Sequence, residues 1–270
     1  MKGGEFMRKF ITLAVSLLVF AGMVALTPQN VRADLVEDAV GIWLLDEKSG
    51  TTVRDSSANG NHGEMRGGSG KWVKGKFGNA LELNGTTEYA EVPDAPSLDL
   101  KEQVTMVCWF NWEGTGDGWQ TFFSKGPMSG PNENWALFIN SPSRHTHFCK
   151  NAGGARDCFN SPVNAFEAKQ WVHAAATYDG KIQITYLNGK EVAKGNLSGK
   201  MVPNDNYLGI GFREGSPHYW KGMLDDMAVF KRALSVDEVV GIMENGLDSL
   251  MAVHPDDKLA DTWGKIKKVQ

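Results

Sequence analysis

The sequence lacks an excess of positive charge. Its 28 lysines and arginines stand against 32 aspartates and glutamates, which gives a net charge of −4. Proteins that bind nucleic-acid phosphates need a basic patch or stripe, because phosphate contacts supply most of that affinity. We therefore exclude nucleic acid as a partner. The length fits one domain that is large enough to bury a core without covalent staples.

Cysteine is also scarce, with three residues in the chain. Three cysteines without a histidine cluster at ligand spacing argue against a zinc site. Cys149 and Cys158 flank a glycine-centred turn and could face each other across a hairpin, which predicts a disulfide if the protein is exported. Cys108 lies in an alternating apolar run and is predicted to be a buried thiol.

Helical periodicity is almost absent between Trp43 and Leu100. Short alternating runs recur instead along most of the chain, separated by clusters of Gly, Asn, Asp and Ser that mark tight turns. The clearest hairpin signal is Asn188-Gly189, a dipeptide suited to a type I′ turn. Many strands without intervening helices predict an all-β fold, a two-sheet antiparallel jelly-roll sandwich.

One short helix is predicted at the end of the sandwich, over residues 235–245. Ser235 is followed three residues later by Glu238, which is the pattern of a capping box. Gly246 provides a natural stop. We expect this helix to close the domain.

The N-terminal residues have the order of a secretory signal peptide. Arg8 and Lys9 precede an apolar run over residues 10–26, and Val31-Arg32-Ala33 fits a signal-peptide cleavage site after Ala33. The alternative is a membrane anchor, since the run is near the lower length limit for spanning a bilayer. We predict a signal peptide over residues 1–33, a domain over 34–246 and a C-terminal extension over 247–270. The protein would then be secreted or held at the cell surface.

An ordered set of short blocks resembles one known family. These blocks are Asp55-Ser56-Ser57, Asn59-Gly60-Asn61-His62-Gly63, Gly75-Lys76-Phe77-Gly78, Gln170-Trp171-Val172-His173, Leu187-Asn188-Gly189-Lys190 and Gly222-Met223-Leu224-Asp225-Asp226. Together they resemble the bacterial laminin-G-like domain of the concanavalin A-like lectin/glucanase superfamily, over roughly residues 38 to 246. The resemblance implies a concanavalin A-like jelly roll. It does not decide function, because lectins, adhesion modules and hydrolases share this fold.

The carboxylates that a hydrolase of this superfamily would need are missing. Related glucanases carry a Glu-x-Asp-x-x-Glu run on one strand face, and a retaining glycosidase needs two carboxylates about 5 Å apart. Glu88 and Glu91 have odd spacing, and the adjacent Asp225 and Asp226 would point to opposite faces of a regular strand. No Gly-x-Ser-x-Gly elbow occurs either. We therefore expect no catalysis.

A structural calcium site is predicted from oxygen-rich side chains near turns. Calcium takes six to eight oxygen ligands, mostly carboxylates and carbonyls. The resemblance places the 55–63 loop near the first strand and near the strand of Asp225. The candidate ligands are Asp46, Asp55, Asn61 and Asp225. The alternative is that Asp55 and the asparagines cap turns, and that Asp225 accepts backbone hydrogen bonds.

Aromatic residues next to polar ones suggest a sugar-binding surface, because an aromatic face packs on the apolar face of a sugar ring. The segments with this mixture are predicted to be loops, where sandwiches place their binding residues. The candidate ligand-binding residues are Trp119, Arg144, His145, His147, Tyr219 and Trp220. The alternative for each aromatic is packing beneath a loop. Trp43, Trp109, Trp135 and Trp171 are predicted to fill the core.

These observations favour a non-catalytic binding domain that recognises a glycan or a glycosylated surface protein. An adhesion module that binds protein and has no sugar site is the first alternative. A glycoside hydrolase of the same superfamily is the second. No membrane span is expected after removal of the signal peptide.

Overall fold

The fold is a sandwich of two antiparallel sheets with eight strands each. This computed structural model describes residues 34–116, 118–127, 133–152, 155–196, 198–215 and 218–251. The strands are β1 (Ala39–Trp43), β2 (Thr52–Val53), β3 (Gly63–Arg66), β4 (Lys71–Lys74), β5 (Asn79–Asn84), β6 (Tyr89–Val92), β7 (Val104–Trp112), β8 (Trp119–Lys125), β9 (Trp135–Asn140), β10 (His145–Ala152), β11 (Ala155–Asn160), β12 (Trp171–Tyr178), β13 (Ile182–Leu187), β14 (Lys190–Asn196), β15 (Leu208–Ile210) and β16 (Lys221–Phe230). The predicted jelly-roll sandwich is confirmed.

The first sheet, sheet A, has the order β14-β13-β12-β7-β16-β5-β4. Strand β16 pairs with β5 through its first half and with β1 through its second half. The second sheet, sheet B, has the order β11-β10-β9-β8-β15-β6-β3-β2. Sheet neighbours are often distant in the chain, so the sequence must specify pairings between remote segments. This is the topology that the turn-rich sequence predicts.

The main core lies between the sheets. Alternate residues of β9 and β10, such as Leu137, Ile139 and Phe148, point into it. Trp43 and Trp135 are fully buried there, as predicted. Trp171 is only half-buried at the start of β12, so the expectation that it fills the core is wrong.

A second apolar cluster covers the outer face of sheet A. Helix α1 (Val236–Asn245) packs there through Val239 and Ile242, and the short helix α2 (Asp248–Met251) follows it. Ser235 and Glu238 form the predicted capping box, with each side chain bonded to the backbone N–H of the other. The predicted closing helix is therefore confirmed and begins one residue later, because Ser235 is its N-cap.

The Asn188-Gly189 hairpin joins β13 and β14 as predicted. Both turn residues have positive φ, 47° and 73°, which is the conformation of a type I′ turn. Asparagine and glycine tolerate this left-handed region better than other residues do. Local chemistry alone therefore fixes this connection.

In the part of the chain that the structure describes, no helix is both long and apolar enough to cross a membrane. The predicted signal peptide at residues 1–33 lies outside the described residues, as does most of the predicted C-terminal extension. The predicted domain limits therefore stay predictions.

Candidate functional site

The candidate site is a pocket on the outer face of sheet B, where β8, β9, β10 and β11 lie side by side. Strand residues that alternate with the core set, among them Phe138 and Cys149, form a small apolar cluster on this face. A pocket of about 240 Å³ opens above this cluster. It is lined by Trp119, Phe138, His147, Arg156, Cys158 and Asn160. We call this set the sheet B pocket.

Strand β10 brings His145 and His147 to the same face, because residues two apart in a strand point the same way. The prediction that these residues lie in a loop is wrong. This strand does not show a simple alternation of apolar and polar residues, because its outer face is also partly buried and carries polar side chains. Arg144 lies in the preceding turn with φ 48°, and its guanidinium pairs with Asn164 and Glu167.

Aromatic rings form the wall of the pocket. The ring centroids of Trp119 and His147 lie 4.2 Å apart in an edge arrangement, and Phe138 stacks on His147 at 5.3 Å. The Nε2 atoms of His145 and His147 contact each other. Trp119 begins β8 and stays half-buried, so part of its indole is open to solvent. The structure thus brings together three of the six predicted ligand-binding residues.

Both histidines are held neutral by their surroundings. Burial is the largest cause that lowers the pKa of His147, to about 3, and His145, Arg156 and Arg213 lower it further. Burial also lowers the pKa of His145. A neutral imidazole carries one N–H donor and one acceptor nitrogen. At neutral pH the pocket therefore offers groups that can both donate to and accept from a sugar hydroxyl.

A buried carboxylate supports the pocket from one side. Glu133 is fully buried and accepts from Nε of Arg156 at 2.5 Å through one oxygen and from Nη2 of Arg213 through the other. Arg213 is also fully buried, and its guanidinium lies 4.7 Å from the ring centroid of Phe138. The sequence prediction missed this arrangement. Glu133 and Arg213 are 80 residues apart, so no local pattern could indicate it.

The predicted disulfide is confirmed. Cys149 and Cys158 are paired residues of β10 and β11, with Cα atoms 4.1 Å apart, and Cys158 lines the pocket. Arg156 Nη2 lies 3.2 Å from the Cys149 sulfur. Cys108 is a free, buried thiol, also as predicted. The bond ties an edge strand to the pocket floor.

Two other predicted ligand-binding residues lie elsewhere. Trp220 is fully buried against Phe110 and Phe122 in the main core, so its prediction as an exposed platform is wrong. It directly precedes β16, and its backbone N–H bonds to Gly211, which turns the indole inward. Tyr219 is half-buried in a separate aromatic cluster with Tyr89 and Phe212.

The four predicted calcium ligands form two pairs and not one set. Asp55 accepts hydrogen bonds from the backbone of Ile42, from the backbone and hydroxyl of Ser57 and from the backbone of Asn61. Both of its oxygens are thus engaged, as in the turn-capping alternative. The side-chain amide of Asn61 donates to Val40 and Ser97. This pair does not fit a metal.

The second pair, Asp46 and Asp225, lies on either side of the 75–79 loop. Asp46 accepts from the backbone of Asn79, and Asp225 Oδ2 accepts from the backbones of Lys76 and Phe77. Asp225 Oδ1 is buried and has no hydrogen-bond partner within the described ranges. The same ranges hold no group of three or more His, Cys, Asp or Glu side chains that could bind a metal.

Asp225 and Asp226 lie on the same face of β16, contrary to the expectation for a regular strand. A bulge at Asp226, with φ 43°, shifts the register, so that Leu224 and Met227 both reach the main core. Burial is the main cause that raises the pKa of Asp225 to about 8 and that of Asp226 to about 7. Both are buried, and Asp226 accepts from the backbone of Leu247.

A larger cleft of about 430 Å³ runs along the edge of sheet A. Its lining is mainly charged or amide side chains, including Lys71, Glu82, Glu88 and Lys221. Lys71 and Glu82 pair with each other at 2.8 Å. No aromatic side chain lines this cleft among the described residues, so it lacks the platform that sugar binding needs. We therefore take the smaller sheet B pocket as the candidate site.

Comparison with known proteins agrees with this architecture. The laminin G family model described as "Concanavalin A-like lectin/glucanases superfamily" matches residues 84–240. Mouse (Mus musculus) pappalysin-1 is 32% identical over 104 residues, which cover 37% of this chain and 6% of that protein. The chain thus corresponds to a small part of this relative.

Several solved structures share this fold. Domain 4 of AbnA, a GH43 extracellular arabinanase of Geobacillus stearothermophilus, in complex with arabinotriose, has a TM-score of 0.59 at 20% identity over 76% of this chain and 98% of its own. The binding domain of Paraclostridial Mosquitocidal Protein 1 has a TM-score of 0.62 at 17% identity, and the match covers 77% of this chain and 52% of that one. The binding domain of botulinum neurotoxin serotype G has a TM-score of 0.61 at 12% identity, and the match covers 76% of this chain and 50% of that one. At these identities the similarity shows the fold alone.

Proposed function

The chain belongs to the laminin G family of the concanavalin A-like lectin/glucanase superfamily, and on this basis we propose that it is a non-catalytic domain that binds a glycan in the sheet B pocket. The observation that carries the proposal is the half-exposed indole of Trp119 beside the neutral imidazole of His147. An apolar ring face next to a few convergent polar groups suits a sugar. Asn160 adds an amide at the pocket rim.

Rigid support favours binding at this place. The pocket residues stand on paired strands, and the Cys149–Cys158 disulfide joins two of these strands beneath the ligand space. Sites on strands hold their geometry better than sites on loops. A pocket that is formed before binding avoids much of the ordering cost that weakens association.

The buried carboxylates support a binding role over catalysis. Asp225 and Asp226 share a face, but they are covered by the 75–79 loop and by the segment after α1, where Leu247 donates to Asp226. Glu133 is neutralised by two arginines. None of these groups is placed to give or take a proton from a glycosidic oxygen. The arabinanase neighbour, in complex with arabinotriose, adds support for a carbohydrate ligand.

Export of the protein is part of the proposal. The Cys149–Cys158 bond supports it, because structural disulfides persist in oxidising compartments and are rare in the cytosol. We propose a secreted or cell-surface location, where glycans and glycosylated surface proteins are the available partners. N-terminal sequencing of the exported protein should find Asp34 as the first residue. A mature chain that begins at Met1 or Met7 would favour the membrane-anchor alternative.

Calcium is proposed as a structural ion for Asp46 and Asp225 only. The unpartnered Asp225 Oδ1 is a hard oxygen ligand of the kind calcium uses, and Asp46 lies across the same loop. Two carboxylates would need main-chain oxygens or water to complete the shell. Asp55 and Asn61 take no part, because their polar atoms already hold the 55–61 turn.

A glycan screen with a matched tryptophan control tests the proposal. Trp119→Ala should abolish saccharide binding and leave the melting temperature within a few degrees, because the indole is half exposed. Trp171→Ala is the control: it too is a half-buried tryptophan at the start of a strand, but on sheet A. A screen that stays silent for the wild-type protein, together with capture of a deglycosylated protein partner, would favour the protein-binding module. Turnover of a saccharide in the panel would favour the hydrolase.

A further inference from the structure

Among the residues that the structure describes, the surroundings of the sheet B pocket contain more positive than negative charge. Glu133 is shared by Arg156 and Arg213, so one carboxylate faces two guanidinium groups. The nearby histidines are neutral at neutral pH and add no charge. Glu214 follows Arg213 in the chain, but after burial the charges that shift the pKa of Arg213 are those of Glu133 and Arg156. The pocket thus has a local positive charge in a chain whose net charge is −4.

This charge is poorly solvated. Arg213 is fully buried, and its Nε and Nη1 atoms have no hydrogen-bond partner in the described ranges. Burial lowers the pKa of Arg213 to about 10, although Glu133 raises it. A buried cation without enough acceptors is costly, and an anion that approaches it gains more than it would at a solvated surface.

The same positive charge disfavours protonation of two histidines. Burial is the main cause that lowers the pKa of His147 to about 3 and that of His218 to about 4, and the charges of Arg156 and Arg213 lower both further, together with His145 in the case of His147.

A metal ion is the other ligand that this geometry suggests. The Nε2 atoms of His145 and His147 converge, as they would around a transition metal. However, the positive field of the two arginines repels a cation at this point, and no third His, Cys, Asp or Glu joins the pair in the part of the chain that the structure describes. The positive charge of the arginines favours an anion.

We propose that the sheet B pocket selects a saccharide that carries an anionic group, a carboxylate or a sulfate, placed against Arg156. Arg156 is the arginine that a ligand can reach, since it lines the pocket and its side chain is 27% exposed, whereas Arg213 is fully buried. Its planar guanidinium matches the geometry of either anion. The sugar ring lies on Trp119. This inference rests on the proposed glycan-binding function.

Matched pairs of saccharides test the inference. The probes are a hyaluronan tetrasaccharide with its carboxyl-reduced form, and a heparin tetrasaccharide with its desulfated, N-acetylated, carboxyl-reduced form, each titrated by calorimetry at low and moderate salt. At least one acidic member should bind more than tenfold tighter than its neutral partner, and this preference should shrink as salt rises. A preference within the hyaluronan pair identifies a carboxylate as sufficient, and a preference confined to the heparin pair identifies sulfate.

Variants separate this inference from the proposed function. Arg156→Gln should remove the preference for the acidic member. Arg156→Lys should retain part of this preference, because it keeps the positive charge but loses the planar guanidinium. Arg66→Gln is the control, since Arg66 lies on the same sheet and pairs with Glu91 at the surface. A cooperative thermal transition well above the titration temperature would show that each variant folds. Equal affinity for acidic and neutral members would overturn the inference and leave glycan binding intact. If neither member of either pair binds and the glycan screen is also silent, the inference and the proposed glycan-binding function are both overturned.

Discussion

Glu133 is the residue whose replacement should destabilise the pocket most. Its carboxylate is fully buried and accepts from both Arg156 and Arg213. Glu133→Gln keeps the shape and one acceptor oxygen but leaves two guanidinium charges without a counter-charge. Removal of one partner from a buried ion pair costs about 3–5 kcal/mol. For a domain of this size that corresponds to a fall in melting temperature of roughly 6–20 °C.

Urea unfolding followed by tryptophan fluorescence, together with thermal melts by circular dichroism, measures this loss. The control is Glu91→Gln, which removes an exposed partner of Arg66 and should change stability by about 0.5 kcal/mol or less. Arg213→Met in the Glu133→Gln background should recover part of the loss, because it removes the buried charge that lost its partner. Glu133→Gln stability within about 1 kcal/mol of wild type would refute the argument that this carboxylate is buried and fully paired.

Three further predictions concern the disulfide, one buried histidine and calcium. Cys149 and Cys158 are nine residues apart, and replacing both by serine should lower the free energy of unfolding by about 2.7 kcal/mol, because the unfolded chain regains its loop entropy. Mass spectrometry that finds three free thiols after export would contradict the bond. The pKa of His173 is lowered to about 3 by burial, below the unfolded value of about 6.5, so this residue opposes folding increasingly as pH falls below 6.5. His173→Gln should therefore gain about 1.4 kcal/mol per pH unit relative to wild type between pH 6 and 4, and parallel stability curves for the two proteins would show that reasoning to be wrong. Calcium should raise the melting temperature of the wild type but not of Asp225→Asn, and a melting temperature that chelator does not move would refute the metal site.

Features that depend on local chemistry were predictable from the sequence. The Asn188-Gly189 turn needs positive φ at two adjacent residues, and the capping box needs a hydroxyl and a carboxylate three residues apart. Both signals lie within a few residues. The Cys149–Cys158 pair could likewise be inferred from a short glycine-centred turn between two runs.

The position of the pocket was only partly predictable. Trp119, His145 and His147 were identified by the mixture of aromatic and polar residues, although the histidines lie on a strand and not in a loop. Their strand is covered on both faces, by the main core on one side and by residues such as Phe138 on the other. A strand buried on both faces loses the simple alternation by which strands are recognised.

Long-range and irregular features left no signal. The contact between Glu133 and Arg213 joins segments 80 residues apart. The bulge that turns Asp225 and Asp226 to one face depends on a positive φ at a residue that usually avoids it. Trp220 follows His218 and Tyr219, which suggested a loop, yet its backbone bond to Gly211 directs it into the core.

Nuclear magnetic resonance during a titration with the tightest saccharide from the screen tests directly whether the sheet B pocket binds the glycan. The largest chemical-shift changes are expected at the Trp119 indole N–H, the His147 imidazole and the Asn160 side-chain amide, with saturation at one equivalent. Shift changes confined to the cleft lined by Glu82, Glu88 and Lys221, or to the cluster of Tyr89 and Tyr219, would contradict it.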